Sequence, residues 1–119
     1  MSTGPADAPA PPLSLHTFAD GDATVVQCTG VLTAGLTGIL RDEVKSHIPK
    51  SKKIVLDLTG LTKMDSLGLG TIVGLYVSAK SAGCTLVLIN LSPRVKQLFS
   101  MTNVWSIFDE YAEHIIRTP

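Results

Sequence analysis

Apolar and polar residues recur with two different periods along this chain, and each change of period marks a new element. Near the start, "LSLHTFA" and "TVVQCT" flank Asp20-Gly21, a dipeptide suited to a tight turn. Leu13–Ala19 and Thr24–Thr29 are therefore expected to pair as an antiparallel hairpin. From Leu36 the apolar positions Leu36, Ile39, Leu40 and Val44 fall at helical spacing, with Arg41, Asp42 and Lys45 on the other side. This predicts an amphipathic helix that ends before Pro49. The runs "KIVLDL" and "TLVLIN" have strand length and apolar character throughout, as central parallel strands do. Ser92 and Pro93 suit a helix cap and first helical position, with Val95, Leu98 and Phe99 on the inner side and Asn103 closing the helix. Asp109 to Ile116 fits a last short helix docking Tyr111, Ile115 and Ile116. Strands separated by helical crossovers predict an α/β layer fold: a mostly parallel sheet with an N-terminal antiparallel hairpin, packed against helices.

The segment between the two apolar strands, "KMDSLGLGTIVG", opens a helix with a serine and three glycines. Each interior glycine costs a helix about 0.5–1 kcal/mol relative to alanine, so something is expected to approach closely. On a wheel of 100° per residue, Leu69, Ile72, Val73, Tyr76 and Ala79 share the side that must face the sheet. Leu67, Gly70, Thr71, Gly74, Ser78 and Ser81 lie opposite, with Leu75, Val77 and Ala82 at the margins. That outer face carries no charge, whereas solvated helix faces normally do. Either another segment of the same domain covers it or a partner docks there through Leu67, Gly70, Thr71, Gly74 and Ser78; partner docking is the expectation adopted.

Ser66 sits where the loop becomes helix. Either its hydroxyl or the Asp65 carboxylate is expected to cap the helix by accepting an orphan backbone N–H. A phosphate at that position is compatible with folding, because free N–H groups and the helix dipole favour negative charge there. It would also place about two negative charges against an uncharged docking face, so one modification would oppose docking.

Composition narrows the function classes. A length of 119 residues suits one domain, with Met1–Pro12 as a disordered tail and residues 13–119 as the folded unit. Ten basic and ten acidic residues cancel, which gives no electrostatic case for direct nucleic-acid binding or an anionic membrane. The tail has neither the basic start nor the apolar core of a signal peptide. Leu67–Leu91 is long enough to span a bilayer, but Lys80 and the break at Ser81–Gly83 argue against insertion. Cys28 and Cys84 lie apart in apolar stretches and suit buried, reduced thiols, which points to the cytoplasm.

Enzymatic chemistry finds little support. No metal or cofactor is expected, since the acidic pair a receiver domain needs for magnesium is missing. Asp-Ser-Leu-Gly is not the nucleophile elbow of a hydrolase, and no Gly-Lys-Ser/Thr completes a phosphate loop. His16, His47 and His114 are scattered singly.

Three motifs resemble one family. Ile54-Val55-Leu56-Asp57-Leu58-Thr59-Gly60, Met64-Asp65-Ser66-Leu67-Gly68-Leu69-Gly70 and Ser92-Pro93-Arg94-Val95 are similar to those of STAS domains, in particular the bacterial anti-sigma factor antagonists, over about Leu13–Ile116. The resemblance implies a non-enzymatic regulator whose unmodified form binds an anti-sigma factor that is also a serine kinase. It implies phosphorylation at Ser66, Asp57 and Asp65 as supporting acids, and a phosphoserine phosphatase as the opposing partner. Gly30-Val31-Leu32-Thr33 stands where the family usually has Gly-Glu-Leu-Asp, and Leu67 where it often has a second serine or threonine. A more apolar interface is implied. Two rival functions are a constitutive assembly subunit of a signalling scaffold or lipid-transport complex, and a small-ligand sensor using a crevice near Asp57 and Ser66.

Overall fold

The computed structural model describes residues 11–101. Its elements in chain order are β1 (Leu13–Asp20), β2 (Ala23–Leu32), α1 (Thr37–His47) with a 3-10 turn (Ile48–Lys50), β3 (Lys53–Met64), α2 (Ser66–Ser81), β4 (Thr85–Ile89) and α3 (Pro93–Met101). They form one α/β unit around a four-stranded sheet ordered β1-β2-β3-β4. The hairpin is present: β1 pairs antiparallel with β2, and Asp20 opposes Ala23 across Gly21-Asp22. Gly21 takes the positive φ of 64° that such a two-residue loop requires. β2, β3 and β4 are parallel, so α1 and α2 are the crossover helices.

Strand register separates the two faces of the sheet. Val26 pairs with Leu56 and Leu56 with Leu88, and all three side chains are fully buried. With Leu40, Val44, Ile72, Tyr76 and Phe99 they form a single core between the sheet and its helices. Full burial of each large aliphatic side chain contributes about 1.5–3 kcal/mol, so this layer holds the fold together. One residue further on, Gln27, Asp57 and Ile89 form the next cross-strand row and point to the opposite face.

Pro12, just before β1, is tied to β2 through its carbonyl, which accepts a hydrogen bond from Val31 N–H at 2.9 Å. Several expectations need correction. β3 runs to Met64, well past "KIVLDL", because β2 is long enough to pair with it as far as Leu32, through two register shifts. Ile39 is 46% exposed, because the stripe that faces inward is Leu40, Val44 and Ile48. Leu75, placed at the margin of the outer face, is only 1% exposed. α2 packs on α1 as well as on the sheet, so its buried stripe is wider than sheet contact alone demands. α3 begins as expected, with Ser92 Oγ accepting from Val95 N–H at 3.2 Å. Asn103, His114 and the segment from Asp109 to Ile116 lie outside the described residues.

Candidate functional site

The end of β3 delivers Asp65 in an extended conformation (φ −107°, ψ −176°), and α2 begins at the next residue. Asp65 Oδ1 accepts from Gly68 N–H at 2.9 Å, which satisfies one orphan donor of the first turn. Oδ2 accepts from Ala34 N–H, also at 2.9 Å. The two bonds, the one from Gly68 first, hold the Asp65 carboxyl below its usual range. The cap is therefore the aspartate. Ser66, the first helical residue, is exposed and its hydroxyl is not used for capping.

The three glycines of α2 have different causes. A Cβ on Gly68 would overlap the Leu32 carbonyl oxygen at the end of β2, and Asp65 N–H donates to the same oxygen at 3.3 Å. Close approach there is internal. Gly70 and Gly74 have open space where a Cβ would stand. They line a groove of about 380 Å³ with Ser66, Leu67, Thr71, Leu75 and Ser78 of α2, and with Arg41 and Lys45 of α1. All five residues expected to meet a partner thus line one surface together with Ser66, and Leu67 projects there with 58% exposure.

The surface is not free of charge, however. α1 lies beside α2 and contributes two cations that a wheel of α2 alone cannot show. Their signal was available in the sequence as the i, i+4 spacing of Arg41 and Lys45, which puts both on one stripe of α1.

Asp57 does not join this site. It is buried on the other face of the sheet, where it accepts hydrogen bonds from Thr59 Oγ1 and from Thr59 N–H at 3.0 Å. Asn90 Nδ2 at 3.0 Å and Gln27 Nε2 at 3.4 Å complete its partners. Burial raises its pKa, and these bonds, led by the Thr59 hydroxyl, outweigh burial and bring it below the ordinary value. Six residues of β3 lie between Asp57 and Met64, about 20 Å of extended chain. Asp57 instead lines a separate cavity of about 510 Å³ with Lys53, Val55 and Val87. A crevice shared by Asp57 and Ser66, as the ligand-sensor expectation needs, is not formed by these cavities. Gln27 and Asn90 were missed in the sequence, where each is a lone polar residue in an apolar run. Asn90 adopts a left-handed φ of 60°, a conformation asparagine tolerates, and its amide reaches Asp57.

The remaining chemistry is sparse. Cys28 and Cys84 are free, buried thiols, and burial pushes Cys28 up to about 12, with a smaller contribution from the Asp57 charge. No cluster of metal-ligating side chains occurs among the described residues. Among them, too, no helix is long and apolar enough to cross a membrane.

An α/β layer with an antiparallel opening hairpin, followed by parallel strands joined through helices, matches the STAS fold. A STAS domain profile matches residues 17–118, and the chain belongs to that family. It is 31% identical over 84 residues to the anti-sigma-B factor antagonist of Bacillus subtilis, covering 71% of this chain and 77% of that one. The crystal structure of an anti-sigma factor antagonist from Mycobacterium paratuberculosis superimposes with a TM-score of 0.69 at 15% identity, covering 87% of this chain and 93% of that one. The Bacillus cell fate determinant SpoIIAA in its phosphorylated form gives 0.61 at 21% identity, over 76% of this chain and 82% of that one.

Proposed function

We propose that this protein is an anti-sigma factor antagonist that switches partners according to phosphorylation of Ser66. The observation that carries this is the division of labour at the start of α2: Asp65 caps the helix, and Ser66 is left exposed at the end of an open groove. The unmodified domain binds an anti-sigma factor through Gly70, Thr71, Gly74 and Ser78, whose small side chains admit a partner's backbone, and through Leu67, which projects as an apolar knob. That partner is also the kinase. The Ser66 hydroxyl attacks the terminal phosphorus of a nucleoside triphosphate; the new O–P bond forms as the bond to the leaving diphosphate breaks, and the hydroxyl proton passes to a base on the kinase. A phosphoserine phosphatase reverses the step by hydrolysis. The name of the Bacillus subtilis relative supports the role, and the setting it implies is the cytoplasm.

The domain itself supplies no catalytic group to this cycle. Asp65 acts as the positioning acid, holding the first turn so that Ser66 faces outward. Asp57, on the other sheet face, supports the end of β3 only through the fold.

The rival function, a constitutive assembly subunit, draws on Val31 and Thr33, which leave the neighbourhood of Ser66 without the acids usual in the family. Incubation with candidate anti-sigma kinases and ATP, followed by phosphosite mapping, separates the two. Phosphate on Ser66 with loss of partner affinity is expected. Equal affinity of the unmodified and fully phosphorylated protein refutes the switch and leaves the assembly subunit.

A further inference from the structure

The groove beside Ser66 is lined by two basic side chains and no acidic one. The only ion pair among the described residues joins His47 and Glu43, so Arg41 and Lys45 have no carboxylate partner there. α1 and α2 are both crossovers between parallel strands and run side by side in the same direction, and the Asp65–Ala34 bond holds their starting ends together. Arg41 does not extend outward from its turn. Its Nη2 folds back to donate to Thr37 Oγ1 at 3.4 Å, at the first residue of α1. This puts the guanidinium at the end of the groove where Ser66 stands, while Lys45 lies one turn deeper.

We propose that Arg41, with Lys45, is a built-in receiving site for the phosphate of modified Ser66, so that modification ties α2 to α1 across the mouth of the groove. The inference rests on Ser66 being the phosphoacceptor. A guanidinium offers a planar pair of N–H donors that matches two phosphate oxygens, and an ammonium adds a point charge. Two cations balance the roughly −1.5 to −2 charge of phosphoserine at neutral pH. Phosphorylation then blocks docking by occupying the groove and consuming its cations. The charge does not stand unpaired on the surface, and the domain is not loosened by it.

The test uses the full chain with phosphoserine installed at position 66 during translation, in the wild type and in Arg41→Gln, Arg41→Lys and Lys45→Gln. Phosphorus NMR follows the second ionisation of the phosphate, ordinarily near pH 6. Nearby cations favour the dianion, so the wild-type value should be lower by about 1 unit. Asp65, next in the chain, opposes this, and Lys63 adds to it; both are unchanged in every variant. Arg41→Gln should bring the value back toward 6, Lys45→Gln should do so in part, and Arg41→Lys should retain most of the shift. Identical titration of the wild type and Arg41→Gln overturns the proposal; should Arg41→Gln not fold, identical titration of the wild type and Lys45→Gln does so. Because the phosphate is installed directly, the titration tests the receiving site by itself, whereas a kinase that ignores Ser66 counts against the proposed function.

Discussion

Asp65 Oδ2 accepts a hydrogen bond from Ala34 N–H at 2.9 Å, so the residue that caps α2 also holds the loop that leads into α1. One carboxylate thereby sets the first turn of α2 and the relative position of the two helices that flank the groove. Ser66, its neighbour, takes no part in either bond and is available for chemistry.

This separation predicts different outcomes at adjacent positions. Ser66→Ala removes an exposed hydroxyl and should change stability by no more than about 0.5 kcal/mol, while abolishing phosphorylation and preserving partner binding. Asp65→Ala should lower the melting temperature and weaken partner binding together, since it releases both the cap and the loop. Thermal melts and kinase assays on the two variants check this. A larger loss of stability from Ser66→Ala than from Asp65→Ala would show that the serine is the cap.

The glycines of α2 should diverge in the same way. Gly68→Ala drives a methyl group into the Leu32 carbonyl and should cost about 1–3 kcal/mol in denaturant unfolding. Gly70→Ala and Gly74→Ala meet open space and should stabilise the isolated domain by up to about 0.5–1 kcal/mol through helix propensity. A stabilised Gly74→Ala variant with weaker partner binding is the expected signature of a glycine kept for docking.

Leu67→Asp and Gly74→Lys test the groove as an interface. Both side chains enter open, solvent-facing space, so the circular dichroism spectrum should not change. Titration calorimetry against the anti-sigma partner should show a clear loss of affinity for each. Unfolding of either variant would mean that the groove is internal to the domain.

The pH dependence of stability should report Asp57. Its folded pKa is depressed from the ordinary value of about 3.9, so its contribution is present above that pH and is lost as pH falls through the lower folded value. The wild type should therefore melt above Asp57→Asn at neutral pH, and the gap should narrow as the pH is taken below about 4. A gap of constant size across that range would show that the carboxylate charge does not stabilise the fold.

Local pattern alone determined a good part of this protein. The hairpin, the inward stripe of Leu40 and Val44, the apolar strands containing Leu56 and Leu88, the Ser92 cap and a side-chain cap from Asp65 or Ser66 at the start of α2 all follow from residue periodicity and capping chemistry, which act over a few residues. Tertiary structure decided what periodicity cannot carry. A helical wheel treats α2 as if it had one neighbour. In the folded chain α1 lies against it, burying Leu75 and adding Arg41 and Lys45 to a face that reads as uncharged. A motif treats Asp57 and Ser66 as companions because they are near in sequence, yet the two-residue period of β3 turns Asp57 to the far side of the sheet and its length carries the chain about 20 Å onward. Gly68 and Gly74 look alike in the sequence; only the path of β2 places a carbonyl against the first and leaves the second open. In each case the deciding contact comes from a segment distant in sequence, where spacing along the chain holds no information about distance in space.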